Sequence, residues 1–473
     1  MKKKLSIMWF RQDLRLADNP ALCKAVKSGH VLPIYILDDV SAGNWQMGGA
    51  NRVWLHHSLL ALYKSLDGML SLYHGNAADV FESLLSRFDV VNVFWNRCYE
   101  PWRVSRDGMI KSMLQDRGVS AKSLCGSLLW EPWEVAKADG TPYRVFSPFY
   151  YKGCHAASPP REPLPVPSSI SAAVDDLSLP LEKLQLLPSH PRWDEAMMAH
   201  WEPGEAGAYE CLEIFLANGL SGYKEGRNVP SKANVSRLSP YLQTGEISPN
   251  TVWYRARSVA EGKDLDHFCS ELGWREFAYH LLYHFPNLPE ENFQAKFDTF
   301  PWGENNDALS AWQRGMTGIP IVDAGMRELW QTGYMHNRVR MIVASFLIKN
   351  LLIDWRKGEV WFWDTLVDAD LANNSASWQW VAGSGADAAP YFRIFNPVSQ
   401  GLKFDPKGVY IRKYVPELQD MPDKYLFAPW EAPADVLENA GVGLGTDYPK
   451  PIVDLKTSRV RALDAFKSLK NLT

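Results

Sequence analysis

The sequence predicts an N-terminal α/β domain with a parallel, Rossmann-like sheet, followed by a larger all-α domain. Near the N-terminus, short apolar runs alternate with stretches of helical spacing, which is typical of parallel βαβ units. Beyond residue 205 the spacing is helical and the βαβ alternation does not return. A chain of 473 residues also exceeds the usual size of a single core. We therefore predict an α/β domain at residues 1–130, an interdomain linker at 131–204 and an all-helical domain at 205–473.

The predicted elements of the α/β domain follow its apolar runs. The strands are Leu5–Phe10, Val31–Leu37, Leu70–His74 and Val90–Trp95, and the helices are Pro20–Lys27, Asn51–Leu66, Ala78–Arg87 and Arg103–Arg117. No GxGxxG follows the first strand, and neither GxxxxGKS nor GxxxxGKT occurs. The domain therefore lacks the usual dinucleotide and P-loop phosphate signatures.

The linker and the second domain differ from this pattern in composition and spacing. Residues 158–191 are rich in proline and serine, which predicts a surface linker. The predicted helices that follow are Glu205–Asn218, Pro240–Thr244, Pro249–Ala260, His267–His284, Pro320–Thr332, Met335–Leu352 and Ser458–Leu469. The sequence contains no repeat of fixed period.

Composition and charge limit the classes of function. The formal net charge of −4 gives no general attraction for polyanions, so any nucleic-acid contact requires a local basic patch. The six cysteines have no CxxC spacing, which favours free thiols in a reducing cytosol over a disulfide framework or a zinc site. The apolar N-terminal run is broken by Arg11, unlike a signal peptide, and Met341–Trp355 is too short for a membrane span. We expect a soluble, cytoplasmic monomer.

Tryptophan is unusually frequent, with 20 residues, and several lie beside polar groups that a structural core does not need. Carboxylates, amides, an arginine and indoles fall within a short span: Asn337, Arg340, Asp368, Asp370, Asn374, Trp378 and Trp380. Unpaired polar groups are costly to bury. A tightly packed helical domain explains the indoles alone. A large aromatic redox ligand that hydrogen-bonds at its edge and exchanges electrons with indoles would use all of these groups, which favours a flavin.

Two helix faces carry candidate functional groups. Glu271, Trp274 and Arg275 are spaced i, i+3 and i+4 and share one face, although an exposed Glu–Arg pair beside a core indole is the structural alternative. Asn337 is a candidate N-cap at the start of its helix. Arg340, one turn later, would need a buried anionic partner, for which Asp368 or Asp370 is available.

A third candidate site is NVSRLSPYL, which predicts an anion site. Ser239 followed by Pro240 is typical of an N-cap and the first helical position. Ser236 and Arg237 precede this pair, and amides, hydroxyls and a guanidinium at a helix N-terminus bind phosphate. Capping alone explains the Ser-Pro pair, but it does not explain Arg237.

No metal or hydrolytic site is predicted. His280 and His284 lie one turn apart, but no HExxH and no third ligand of matching kind is nearby. We expect both to be core or interface histidines. No GxSxG motif is present either.

Several segments together resemble the photolyase/cryptochrome family. They are WFRQDLRLADNPAL, EGRNVPSKANVSRLSPYLQTGEISP, ELGWREF, GIPIVDAGMREL, GYMHNRVRM, DWRKGEVWF and DADLANN with WQW and PYFRIFNP. The match runs nearly end to end, and within the family the chain resembles a bacterial class I-type cyclobutane pyrimidine dimer DNA photolyase. The resemblance implies an antenna domain and a helical domain that binds FAD in a U shape. It also implies that photoexcited reduced FAD gives one electron to a dimer flipped out of UV-damaged DNA.

The resemblance further implies roles for individual residues. The side of FAD with its phosphates and adenine would be held by Tyr223, Ser236, Arg237, Leu238 and Ser239. The isoalloxazine region would be held by Arg340, Asp368, Asp370 and Asn374, of which Asn374 would face flavin N5. Glu271 would hydrogen-bond or protonate the thymine carbonyl, Asn337 and Met341 would touch the dimer, and Trp274 and Trp380 would form apolar walls. The electron-transfer triad would be Trp378, Trp355 and Trp302. DNA contacts would come from Arg227, Trp274, Arg275, Asn337, Arg338, Arg393, Gln400 and Lys403.

Three alternatives within the family are less well matched. Photolyases for (6-4) products carry paired histidines where this chain has Asn337 and its neighbours, and only His336 is present. DASH-type cryptochromes tend to carry glutamine in place of Met341, and specificity for single-stranded DNA is a further alternative. Signalling cryptochromes usually add a long tail, whereas this chain stops soon after Ser458–Leu469. A dark flavin oxidoreductase is disfavoured because a nicotinamide fingerprint is missing. Repair of dimers is the leading expectation, and a blue-light photosensory cryptochrome is the main alternative.

The second chromophore is predicted less directly. The best-known folate-binding members carry an Asn-Glu pair where this chain has Trp102-Arg103. Methenyltetrahydrofolate is the favoured antenna, with Trp102 as a stacking partner, and a deazaflavin or an empty antenna site is the alternative.

Overall fold

The computed structural model describes residues 4–388 and 392–470. The described chain divides into two compact units. The first contains the chain up to Ser221, Ser236–Pro286 and Val367–Ala372. The second contains Gly222–Val235, Asn287–Leu366 and the chain from Asn373 onward. These units follow three-dimensional contacts and are interleaved in sequence, whereas the boundaries expected at 130/131 and 204/205 follow composition and stay a prediction.

The N-terminal part forms the predicted α/β layer structure. Its elements are β1 Lys4–Phe10, α1 Pro20–Lys27, β2 Val31–Leu37, α2 Gly49–Ser65, β3 Ser71–His74, α3 Ala77–Arg87, β4 Asp89–Asn96, α4 Pro101–Asp116 and β5 Ser120–Leu124. All strand pairs are parallel and the order is β3-β2-β1-β4-β5. The fold class and the four predicted strands are confirmed.

The sequence did not predict β5. Its residues read SAKSL and lack an apolar run, and only Ala121 is fully buried. The strand pairs with β4 alone at the edge of the sheet. An edge strand is held by backbone hydrogen bonds to one neighbour, so its side chains need not follow the buried pattern.

The sheet order reverses between β1 and β4, where open α/β sheets usually bind ligands beyond the strand ends. Charged and amide side chains fill this position. Arg11 donates to Asp107 and to the Asn96 carbonyl, and Asn96 Nδ2 donates to Asp13 Oδ2 at 2.6 Å. Burial raises the pKa of Asp13. The crevice is therefore lined by polar groups that bind one another, although the buried Arg11 Nε has no hydrogen-bond partner within the described part of the chain.

Helices make up most of the rest of the described chain. Between the sheet and His284 they are α5 Phe146–Pro148, α6 Asp194–Met198, α7 Glu205–Asn218, α8 Tyr223–Gly226, α9 Ser239–Thr244, α10 Pro249–Val259 and α11 Lys263–His284. Beyond it they are α12 Asn306–Gln313, α13 Pro320–Thr332, α14 Asn337–Ser345, α15 Trp355–Thr365, α16 Leu371–Ala382, α17 Pro397–Phe404, α18 Val409–Tyr414, α19 Asp423–Leu426, α20 Ala434–Asn439 and α21 Leu455–Lys470. Short 3₁₀ segments lie at Gly43–Trp45, Leu181–Leu184, Ala295–Thr299, Pro416–Leu418 and Pro429–Glu431. Within the described ranges no helix combines the length and apolarity that a membrane crossing requires.

One predicted helix is wrong in its bounds. The expected Met335–Leu352 helix is α14, which begins at Asn337, followed by a π-helical segment at Phe346–Asn350. The His336 side chain caps α14 by accepting from Arg338 N at 3.2 Å. The apolar sequence pattern continues through this π-helical segment, so hydrophobic periodicity does not distinguish it from an α-helix.

Gly245, which follows α9, is required by its surroundings. Its φ is +72°, and an added Cβ would lie 2.0 Å from the Gln12 carbonyl oxygen. Gly245→Ala should lower the free energy of unfolding by more than about 2 kcal/mol, because a left-handed backbone and a clash with backbone both oppose the methyl group. Gly262→Ala is the control, since Gly262 has φ +85° with nothing within 4 Å of its Cβ position. It should cost only about 1 kcal/mol. Urea denaturation measures both, and equal losses would contradict the packing argument.

Candidate functional site

The turn before α16 presents two carboxylates that helices of the same unit hold in place. The Ser239 hydroxyl of α9 donates to Asp368 Oδ2 at 2.6 Å, and the Tyr279 hydroxyl of α11 donates to Asp370 Oδ2. Between them, the Ala369 carbonyl accepts from Asn51 Nδ2 at 2.9 Å. Burial raises the pKa of Tyr279 well above its ordinary value, so this hydroxyl remains a donor. Both carboxylates are thus fixed acceptors in a nearly buried turn.

The predicted anion site leads into α9, but its capping differs from the expectation. The helix begins at Ser239, and the capping position is Leu238, which makes no side-chain capping bond. The prediction of Ser239 as N-cap is wrong, because its hydroxyl donates to Asp368 instead. The helix has six residues, so its dipole is small and a phosphate would depend mainly on hydroxyl, amide and guanidinium donors.

Arg237 lies in an unusual backbone conformation within this stretch. Its φ is +51°, in the left-handed region, and its guanidinium lies 4.1 Å from the centroid of the Trp201 ring. A non-glycine residue in this region costs about 1 kcal/mol or more, and such residues cluster at ligand sites. The adjacent Ser236 Oγ accepts from Leu238 N at 3.4 Å. The conformation of this loop is therefore set by the Arg237–Trp201 contact and the Ser236–Leu238 hydrogen bond, and not by helix formation.

Helix α11 carries the predicted lesion-contacting face. Trp274 stacks on Phe146, with ring centroids 3.8 Å apart and planes 10° apart. Glu271 Oε1 lies 3.8 Å from His267 Nε2, one turn earlier. Arg275 pairs with Glu276 at 3.0 Å, so the simple Glu271–Arg275 surface pair is not the arrangement. The face combines a half-buried carboxyl with a fixed indole.

Helix α14 carries the second predicted face. Asn337 is the first helical residue and His336 is the cap, so the prediction of Asn337 as an N-cap is wrong. The His336 ring already serves this purpose, which leaves the Asn337 amide available for another contact. Arg340 Nε donates to the Met335 carbonyl at 2.7 Å. Pairing of Arg340 with Asp368 or Asp370 stays a prediction.

Predicted DNA-contacting cations converge near the start of α14. Arg338 Nη2 donates to Asn228 Oδ1 at 2.5 Å, next to Arg227 in the chain. The guanidinium of Arg338 and the ammonium of Lys403 lie 4.5 and 5.2 Å from the Phe404 ring centroid. Residues that are far apart in sequence therefore form one basic patch. We call this set of Arg227, Arg338 and Lys403 the basic cluster.

The pKa of His336 reflects its burial and the nearby arginines. Burial, as the largest cause, and the nearby Arg227, Arg338 and Arg340 together lower the pKa of His336 to about 3. Its imidazole is therefore neutral at physiological pH, with Nδ1 as the acceptor for Arg338 N. His336 therefore adds no charge to the positive potential of the basic cluster.

The remaining predicted DNA contacts lie in and before α17. Arg393 is exposed, and its carbonyl accepts from the buried Lys349 ammonium. Gln400 is half-buried on α17. Pro390 and Tyr391, which belong to the PYFRIFNP segment, lie outside the described residues.

The three indoles of the predicted electron-transfer chain differ in exposure. Trp378 and Trp355 are buried, and Trp302 is half-buried. Trp355 Nε1 donates to Asn292 Oδ1 at 3.0 Å, and Trp302 packs on Phe300 with centroids 4.4 Å apart. The order of electron transfer stays a prediction.

Trp380 is turned differently from Trp378, two residues earlier. Its Nε1 donates to the Asp387 carbonyl at 3.1 Å, and the side chain is half-buried. Its stacking against a bound base stays a prediction.

Sequence reasoning missed the groups that pack around Trp378. Trp312 meets it edge-to-face at 6.3 Å, and Phe362 does so at 5.0 Å. A Cβ on Gly358 would lie 2.1 Å from the Trp378 ring. Glycine inside a helix is costly, so Gly358 within DWRKGEVWF was a readable sign of close packing.

Gly358→Ala should therefore displace the Trp378 indole. The methyl group overlaps the ring by more than an ångström, and electron transfer depends steeply on ring position. We expect slower light-driven reduction of oxidised FAD, with stability lowered by about 1–3 kcal/mol from overpacking. Absorbance of oxidised flavin under blue light measures the effect. Gly108→Ala on α4, where the added Cβ meets nothing within 4 Å, is the control, and an equal slowing in both variants would contradict the role of Trp378.

The acceptors and donors present suit a flavin. Asn374 Nδ2 donates to the Glu359 carbonyl at 2.9 Å, so Oδ1 is the acceptor that the amide can offer to a ligand. An N–H group such as flavin N5–H matches this acceptor.

Comparison with known proteins gives a consistent result. The sequence matches the family descriptions DNA photolyase over residues 6–168 and FAD binding domain of DNA photolyase over residues 268–468. A deoxyribodipyrimidine photo-lyase of Agrobacterium fabrum is 50% identical, covering 99% of this chain and 98% of that protein. Cryptochrome-2 of Arabidopsis thaliana is 38% identical, covering 96% of this chain and 78% of that protein. The crystal structure of a bacterial class III photolyase from Agrobacterium tumefaciens has a TM-score of 0.95 at 50% identity, covering 100% of this chain and 98% of that one. The chain therefore belongs to the photolyase/cryptochrome family.

Proposed function

We propose that this protein uses blue light and reduced FAD to split cyclobutane pyrimidine dimers in DNA. The observation that carries the proposal is the basic cluster beside Asn337 and Met341, on a chain whose net charge is −4. A local positive patch on an acidic protein is what binding to a phosphate backbone requires. The similarity to a deoxyribodipyrimidine photo-lyase over nearly the whole chain supports the same substrate.

FAD would be held by residues whose chemistry suits its parts. The phosphates and adenine would be bound by Tyr223, Ser236, Arg237, Leu238 and Ser239. The isoalloxazine would be bound by Arg340, Asp368, Asp370 and Asn374. The chemistry supplied by bound FAD is light-driven transfer of one electron to the lesion and its return after ring opening.

The remaining residues act on the lesion. Glu271 places a hydrogen-bond donor or proton at the thymine carbonyl, where negative charge develops. Asn337 and Met341 contact the dimer, and Trp274 and Trp380 enclose it by stacking. Trp378, Trp355 and Trp302 would carry electrons to oxidised FAD. DNA would be gripped by the basic cluster with Arg275, Arg393 and Gln400.

The second candidate is a photosensory cryptochrome. The 38% identity to Cryptochrome-2 over 96% of this chain favours it, since a photosensor shares the flavin site. A photosensor has no need for DNA affinity. Light-dependent loss of the lesion therefore distinguishes a repair enzyme from a photosensor. Specificity for (6-4) products or for single strands is distinguished by comparing repair of the corresponding oligonucleotide substrates.

For the subtype, we favour class III over the class I-type expected from the motifs. The reason is the 50% identity to the bacterial class III photolyase from Agrobacterium tumefaciens. Methenyltetrahydrofolate remains the favoured second chromophore, with a deazaflavin as alternative. The Trp102 ring already contacts the guanidinium groups of Arg103 and Arg106 at 4.6 and 4.9 Å, so a stacked pterin would share it with them. A cytoplasmic, monomeric protein stays a prediction.

The decisive test uses purified protein, its absorption spectrum and defined oligonucleotides. Pre-reduced protein and a thymine-dimer duplex are illuminated with blue light, and dimer loss is followed by chromatography. Loss of dimers in light and none in darkness is expected, with binding that weakens steeply as salt increases. Flavin photoreduction without dimer loss would identify the photosensor, and loss of only (6-4) or only single-stranded lesions would revise the specificity. A second absorption band, followed by extraction and mass spectrometry, identifies any antenna.

A further inference from the structure

A buried carboxyl, Glu359, contacts the turn of α16 that carries Asn374. The Ser375 hydroxyl donates to Glu359 Oε1 at 2.5 Å, and Asn374 Nδ2 donates to the Glu359 backbone carbonyl at 2.9 Å. Glu359 is 1% exposed. The preceding residue, Gly358, is the one against which the Trp378 ring packs. The acid thus lies beside both the residue assigned to flavin N5 and the first indole of the electron-transfer chain.

Its surroundings keep this carboxyl protonated at neutral pH. Burial, as the largest cause, raises the pKa of Glu359, Ser375 and Arg356 lower it, and the Asp354 and Glu290 carboxylates raise it, which gives a pKa of about 8. No cation forms an ion pair with Glu359 among the described residues. A group with a pKa near the working pH can both release and regain a proton.

Reduction of a buried oxidised flavin creates a need for such a group. One electron arriving from Trp378 adds a negative charge where water is scarce, and uptake of a proton offsets it. Asn374 offers only an amide, which accepts a hydrogen bond at N5–H but supplies no proton. The proposed repair reaction uses no acid at this end of the flavin.

We propose that Glu359 is the proton donor for light-driven reduction of oxidised FAD, an inference that rests on the proposed function. The O–H bond of the Glu359 carboxyl breaks, its proton goes to flavin N5, and the electron comes from Trp378. The carboxylate that remains is stabilised by the Ser375 hydroxyl. Solvent returns a proton to Glu359, and an external thiol returns the electron to the indole chain.

Two variants test the role of the Glu359 carboxyl while a side chain of similar size stays at position 359. Glu359→Gln keeps an acceptor for the Ser375 hydroxyl but has no proton to give. Ser375→Ala keeps the acid but removes the donor that stabilises its carboxylate, so the pKa of Glu359 should rise and proton release should slow. Proton uptake on photoreduction is followed with a pH indicator, and carboxyl protonation with light-induced infrared difference spectra.

In the native protein, a protonated-carboxyl band should disappear transiently as FAD is reduced and return as solvent reprotonates Glu359. In E359Q the band should be absent, and proton uptake should slow by on the order of a hundredfold, the usual contribution of a positioned acid. S375A should keep the band and slow uptake to a smaller extent. Uptake at the native rate in E359Q, or a native band that light leaves unchanged, would overturn the proposal.

A measurement without FAD separates this inference from the proposed function. In protein stripped of flavin, an infrared carboxyl band should titrate near pH 8 and be missing in E359Q. If E359Q does not fold, S375A and the native band decide the case, because unchanged proton uptake in S375A would contradict the role of this pair. Protein that never binds FAD would instead refute the proposed function.

Discussion

Replacing Trp378 with phenylalanine should nearly abolish light-driven reduction of oxidised FAD. The indole is 2% exposed and packs against Gly358 and Phe362, and phenylalanine fills most of this space without being oxidisable. The rate should fall by at least an order of magnitude. Absorbance of oxidised FAD under blue light, with a thiol as reductant, measures it. Trp302→Phe should slow the same reaction less, because the half-buried ring would be the last of the three, and repair by pre-reduced protein should survive in both variants.

Trp380→Phe is the matched control, because it removes an indole two residues away. Its predicted role is stacking against the flipped dimer, where a stacked base contributes about 1–3 kcal/mol. Phenylalanine keeps part of this stacking, so the Kd for dimer-containing DNA should rise by no more than about 5-fold, which corresponds to the low end of that range. Photoreduction should remain close to normal. If Trp378→Phe weakens DNA binding and Trp380→Phe blocks photoreduction, the two assignments are reversed, and equal defects in both variants would indicate general loss of structure.

Elements set by local spacing could be predicted from the sequence. The bounds of β2 and α13 agree with the predicted Val31–Leu37 and Pro320–Thr332. Each has a continuous pattern that its own residues determine, with buried apolar side chains throughout β2 and a proline at the start of α13. The edge strand β5 and the π-turn after α14 have no such local signal, because tertiary contacts decide them.

The site was predictable as a set of residues but not as an arrangement. Ser239 has the local features of an N-cap, yet its hydroxyl binds Asp368, which is 129 residues away. Asn337 similarly yields the capping position to His336. In both cases a long-range or neighbouring partner competes successfully with the local capping preference. Local sequence patterns do not show which partner is chosen.

The basic cluster illustrates the same limit for electrostatics. Arg227, Arg338 and Lys403 fall in three separate segments, and a net charge of −4 conceals them. Their convergence around Phe404 and Asn228 appears only in the folded unit. Glu359 lies next to Gly358 in the segment DWRKGEVWF, where the sequence suggests an ordinary charged carboxylate. Its burial in the folded unit raises its pKa and favours the uncharged form.

Glu271→Ala should lower the quantum yield of dimer repair severalfold while FAD stays bound. Glu271 lies on the same face of α11 as Trp274, and its proposed role is to hydrogen-bond the thymine carbonyl as that carbonyl becomes negatively charged. A hydrogen bond to a charged group contributes about 1.5–3 kcal/mol. The yield falls less than the splitting rate does, because yield is set by competition between ring opening and electron return. Dimer loss per absorbed photon measures it, with flavin absorbance as the check on binding.

Glu271→Gln separates the two ways in which this residue acts. Glutamine keeps an N–H donor for the carbonyl but has no proton to transfer. If the contribution is electrostatic, the glutamine variant should retain most of the native yield and the alanine variant should not. If proton transfer is required, both variants should fall to the same low yield. A native yield in Glu271→Ala, with DNA affinity and flavin content also unchanged, would remove Glu271 from the repair reaction and leave its 3.8 Å approach to His267 as a structural contact on α11.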